Sequence, residues 1–82
     1  MTSTTARPAH IVIQGKDGFH VSAWREHGAY WLCAGHSSVA GGLFGEWSDC
    51  ESERDRRNRA RRMLERARRE YPIDVRTGQV AR

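Results

Sequence analysis

From residue 10 to residue 35 the chain alternates apolar and polar positions. His10-Ile11-Val12-Ile13-Gln14 is rich in β-branched residues, Phe19-His20-Val21-Ser22-Ala23-Trp24-Arg25 alternates strictly, and Tyr30-Trp31-Leu32-Cys33-Ala34 is apolar and aromatic. A period of two built from β-branched and aromatic residues predicts strands. The short gaps between the runs predict an antiparallel meander. Gly15-Lys16-Asp17-Gly18 suits a type I turn closed by a glycine in the left-handed conformation. Glu26-His27-Gly28-Ala29 reads as a four-residue loop, which sets Arg25 opposite Tyr30, Trp24 opposite Trp31 and Ala23 opposite Leu32.

Successive strand side chains point to opposite faces, so this register sorts the residues. Ile11, Ile13, Phe19, Val21, Ala23, Tyr30, Leu32 and Ala34 fall on one face, the expected core side. His10, Val12, Gln14, His20, Ser22, Trp24, Trp31 and Cys33 fall on the other.

The alternation lapses over residues 36–47, which are rich in glycine and serine. Leu43, Phe44 and Trp47 in this stretch predict either a short fourth strand or a loop docked on the core. From 49 to 71 the period becomes helical: Ala60, Met63, Leu64, Ala67 and Tyr71 form one narrow apolar stripe. Ser48 is placed to act as N-cap with Glu51 three residues on, a capping box. Asp49, Glu51 and Glu53 at the start and Arg66, Arg68 and Arg69 at the end complement the helix dipole, and Pro72 ends the segment.

The predicted fold is α+β: a three- or four-stranded antiparallel β-meander packed against one long C-terminal α-helix, in βββα order. Ile73 and Val75 are placed to extend or cover a sheet edge. The domain is expected to span 10–75, between a flexible arm at 1–9 and a flexible tail at 76–82. Over residues 10–70 the coarse element order resembles that of AP2-type DNA-binding domains, which read DNA with the sheet, and of HicB-like antitoxin domains. The chain carries the distinctive motifs of neither, and no site is transferred from them.

Length then narrows the function. At 82 residues and 9.4 kDa the chain is too short for a dinucleotide-binding fold, a barrel or a kinase. There is no GxSxG, HExxH or phosphate-binding GxxxxGK, so no enzyme activity is expected. No apolar run approaches the roughly 18 residues of a membrane span, and no export signal is seen, so a cytoplasmic protein without a membrane partner is expected. Cys33 and Cys50 are too few for a disulfide framework and read as thiols, with a single bridge between them as the alternative. With His20 and His36 they supply only one knuckle of the paired spacing that structural zinc uses. Neither metal nor cofactor is expected.

Charge adds the last element. Fourteen basic residues, thirteen of them arginine, face ten acidic ones, giving +4 and a pI near 9.8. On the helix Arg59, Arg62, Arg66 and Arg69 fall opposite Leu64, flanked by Arg54, Arg61 and Arg68. This ridge is expected to project to solvent and to meet phosphates or an acidic protein. The bland alternative is a solvated face with internal pairs to Glu65 and Glu70. Trp24, Trp31, Phe44 and Trp47 are the candidate aromatic anchors. Their face either binds a protein, a second copy in a homodimer or bases, or is covered by the glycine-rich loop. The expected function is a small non-enzymatic binding protein, an accessory or inhibitor of a phage or mobile element, anti-CRISPR-like, that grips a host protein or nucleoprotein complex. The alternative is a DNA- or RNA-binding regulator that uses the arginine-rich helix face.

Overall fold

A computed structural model describes residues 10–26, 28–49, 52–74, 76–77 and 79–80. The arm 1–9, His27, Cys50, Glu51, Val75, Gly78 and the last two residues lie outside them. Four strands, β1 (His10–Gln14), β2 (Phe19–Glu26), β3 (Ala29–His36) and β4 (Phe44–Ser48), form one antiparallel sheet in chain order. One helix, α1 (Glu53–Glu70), packs across one face of it. The chain is therefore an α+β meander with four strands, and the segment at Phe44 is a strand.

The β2–β3 register is the predicted one: Trp24 pairs with Trp31, Arg25 with Tyr30 and Ala23 with Leu32. Glu26 and Ala29 also pair, so the connection tightens to two residues, with Gly28 at φ 80°, as a two-residue hairpin loop requires. At the first turn Gly18 has φ 96°. A Cβ there would also lie 2.6 Å from His36 Nε2, so conformation and space both demand glycine.

The core is the shared interior of sheet and helix. Phe19, Val21, Ala23, Leu32 and Ala34 from the sheet meet Ala60, Met63, Leu64 and Ala67 from the helix, and all nine are buried. The predicted stripe is thus the packed face. Tyr71 ends the helix as its C-cap, with its ring stacked on Phe44.

Four expectations need correction. First, β1 does not keep strict alternation. Ile11 pairs with Ser22 and Ile13 with Val21, so Val12 is the extra residue of a β-bulge. A bulge flips the face of what precedes it. Ile11 therefore turns to the outer face, 52% exposed, while Val12 and Ile13 both pack against the core.

Second, the helix starts four residues later than the capping box implied. Ser48 is the last residue of β4, paired with Tyr30 and buried. A residue held in a sheet ladder cannot also open a helix, and Ser52 takes that role. Its Oγ accepts the Asp55 N–H at 3.1 Å.

Third, the segment after Pro72 does not extend the main sheet. β5 (Ile73–Asp74) and β6 (Gln79–Val80) pair with each other in a small second sheet. Residues 79–80 are therefore part of a hairpin. Fourth, Phe44 lies opposite Ala34 and packs on the core side, away from the tryptophans.

No helix among the described residues is long and apolar enough to cross a membrane.

Candidate functional site

The outer face of the sheet collects the tryptophans. Cross-strand pairing sets Trp24 beside Trp31 and Trp31 beside Trp47. The ring centroids are 6.2 Å apart in the first pair and 5.0 Å in the second, the second edge-on. Each such pair contributes on the order of 0.5–1.5 kcal/mol beyond area burial. Trp24 and Trp31 are half-buried, and Trp47 is 52% exposed. Gly45 makes room for the row, since a Cβ there would overlap the Trp31 ring. Glu26 accepts from Trp24 Nε1 at 3.4 Å.

The glycine-rich loop does not cover this row. Gly42 lies against Cys33 Sγ, so the loop closes over the Cys33 end of the face. Burial pushes the Cys33 thiol pKa up. The helix is on the other side of the sheet, and none of the described elements lies over the tryptophans. Ile11, displaced to this face by the bulge, joins the exposed apolar surface on the far strand. Among the described outward-facing residues of this face, Glu26 is the sole carboxylate and there is no lysine or arginine.

The arginines of α1 divide into two sets. At about 100° per residue, Ala60, Met63, Leu64 and Ala67 define the buried meridian. Arg62 and Arg69 lie nearly opposite it, exposed, with no ion pair to any described residue. Arg59 and Arg66 lie on the flank beside Met63 and do not project freely, which corrects the single exposed ridge. Arg59 Nη2 sits 3.4 Å from Glu46 Oε1, and Arg66 Nη1 sits 3.2 Å from Glu46 Oε2. Arg66 also donates to Glu70 at 3.2 Å and covers the Phe44 ring at 4.4 Å. Arg56, on the buried meridian near the helix start, lies 4.1 Å over the Tyr30 ring.

Glu46 was not among the residues singled out from sequence, yet it organises this flank. It stands on the inner side of β4 opposite Leu32, where α1, lying over the first three strands, leaves room. Glu46, Arg59, Arg62, Met63 and Arg66 line a groove of about 210 Å³ there. Arg59 Nε is buried and lacks a hydrogen-bond partner among the described residues.

Cys33 and His36 are three residues apart on one strand, so they project to opposite faces. His36 is buried on the inner face, edge-on to Phe19. Its Nδ1 accepts the Ser38 N–H at 3.0 Å and its Nε2 meets the Asp17 carbonyl at 2.9 Å. Both ring nitrogens are thereby committed to backbone, and no cluster of three or more metal-ligating side chains occurs among the described residues.

No protein-family model matches this chain, and no curated protein and no solved structure matches it either, so the candidate site rests on its own geometry.

Proposed function

We propose that this chain is a small non-enzymatic binding protein that grips another protein through its tryptophan face. The observation that carries this reading is the open Trp24–Trp31–Trp47 row. Large rigid aromatics at the centre of an uncovered face are the usual anchors of protein interfaces. The charge of that face favours a protein over bases. Single-stranded nucleic acid binds where stacking aromatics are combined with cations that track the backbone, and this face has the aromatics alone. The inhibitor or adaptor role, of the kind phage and mobile elements encode and anti-CRISPR proteins exemplify, belongs to this reading. Such a protein acts by occupying a surface and needs no deep pocket.

The arginine-rich helix favours a second reading, direct contact with DNA or RNA, because Arg62 and Arg69 are free to meet phosphates. The two readings use opposite faces, so one experiment separates them. Tagged wild-type protein, Trp31→Ala and Arg69→Glu are each used to capture partners from lysate of the encoding organism, with and without nuclease, and bound proteins are identified by mass spectrometry. The expected result is a protein retained after nuclease by the wild type and by Arg69→Glu but lost from Trp31→Ala, whose circular dichroism stays native. Retention that disappears with nuclease and with Arg69→Glu, while Trp31→Ala still binds, overturns the protein reading in favour of the nucleic-acid one.

A further inference from the structure

The tryptophan row and the arginine groove face opposite ways, yet they meet along one line, strand β4. Trp47 projects from it to the outer face. Glu46, one residue earlier, projects to the inner face, where Arg59 and Arg66 hold its carboxylate. β4 is also an edge. It pairs with β3 on one side, and none of the described strands pairs with it on the other. Beside that edge lies the groove of about 210 Å³ floored by Met63, with Arg59, Arg62 and Arg66 at its wall.

The geometry points to β4 as the receiving edge for an extended, acidic segment of a partner protein, which adds to the sheet as a further strand. This inference rests on the protein-binding reading above. An open edge presents N–H and C=O groups that pair with another strand. Side chains of an added strand alternate between the two faces. One set meets Trp47 and favours apolar residues. The other set meets the groove, where Arg59, Arg62 and Arg66 outnumber Glu46 and Glu70, and favours aspartate and glutamate. An acidic residue on the inner side of an edge strand ordinarily discourages pairing. Here two guanidiniums neutralise Glu46, and the remaining positive charge selects an acidic strand and repels a basic one. A nucleic-acid strand has no backbone amides to pair with the edge and meets no lysine or arginine among the described outward-facing strand residues around Trp47.

The test uses the full chain and three fluorescein-labelled peptides: four Glu-Val repeats, four Lys-Val repeats, and the Glu-Val peptide N-methylated at every residue, which keeps the side chains and removes every strand N–H. Fluorescence anisotropy gives the affinities, and tryptophan emission reports on the Trp24–Trp31–Trp47 row. The Glu-Val peptide should bind at least about tenfold more tightly than either control. Arg62→Glu should weaken it several-fold at an unchanged melting temperature. Equal binding of the N-methylated peptide would reduce the effect to charge and overturn strand addition, as would equal binding of the Lys-Val peptide or no saturable binding by any of the three. Competition by single-stranded DNA as strong as that by unlabelled Glu-Val peptide would assign the groove to phosphate. If all three peptides fail while Trp31→Ala still loses its captured protein, the edge is not used and the protein-binding reading stands. If Trp31→Ala loses nothing, the reading itself is at fault.

Discussion

His36 ties three segments together with one ring. In the neutral form with the proton on Nε2, it donates to the Asp17 carbonyl and accepts from Ser38, holding the first turn to the loop after β3. Asp17 in turn takes two hydrogen bonds from Arg68, which fastens the same turn to the end of the helix. That guanidinium, ahead of any other influence, holds the Asp17 carboxyl below its ordinary pKa. The folded state therefore binds this proton less readily than the unfolded chain. The stabilisation is fully present above about pH 4, the ordinary range of an aspartate, and is lost as pH falls through the depressed folded value. Both side chains are about 40% exposed, so the pair is worth less than about 1 kcal/mol. Asp17→Asn should lower stability by that amount in urea melts at pH 7, and its melts should merge with those of the wild type as pH falls through the depressed folded value. A gap that persists undiminished in acid would assign the loss to packing instead. The sequence marked Asp17 and Gly18 as a turn, but nothing local announces a partner 51 positions away. The same holds for Gly45, where a glycine inside a strand hints at a close approach without saying that the guest is Trp31.

Elements were more legible than their ends. Strict alternation fixed β2 and β3, and with them the Trp24–Trp31 register, because a one-residue slip would expose Val21, Ala23 and Leu32 together. The β1 bulge was hidden because Ile11, Val12 and Ile13 are all apolar, so no polar residue marks which one is extra. The helix start was misread because Ser48 and Ser52 both precede an acidic residue by three. Strand pairing, a non-local force, decided between them. The apolar stripe was clear because residues three and four apart share a face. Leu64 is 4% exposed at the centre of that stripe, and Leu64→Ala should cost about 2–4 kcal/mol. A core of this size supplies only about 3–5 kcal/mol, so the variant should be largely unfolded near 37 °C by circular dichroism. A melting point within error of the wild type would mean that the helix is held by something other than its stripe.

At the scale of the whole molecule the charge is segregated. The helix holds nine arginines against four acidic residues, a net of +5, while the rest of the chain holds five basic residues against six acidic ones. The positive excess thus sits on one side of a body 19 Å in its shortest dimension, and the tryptophan face, whose described strand residues include no lysine or arginine, sits on the other. Composition gave the sign of the charge, but only the packing of α1 shows which arginines are engaged and which are free. Arg59, Arg66 and Arg68 are held by Glu46, Glu70 and Asp17. Arg62 and Arg69, two turns apart on the solvent side, are exposed. Reversing both to glutamate should spare the fold, since exposed single charges are worth about 0–1 kcal/mol each. It should also shift the helix net charge from +5 to about +1. Binding to a polyanion, read with a labelled DNA duplex, should therefore fall by tenfold or more at low salt, about 1.4 kcal/mol. The difference should shrink as salt screens the surface. Affinity of wild type and double variant is measured at 50 and 200 mM salt. Equal affinities at both would leave the helix face a solvated surface with no part in steering a partner.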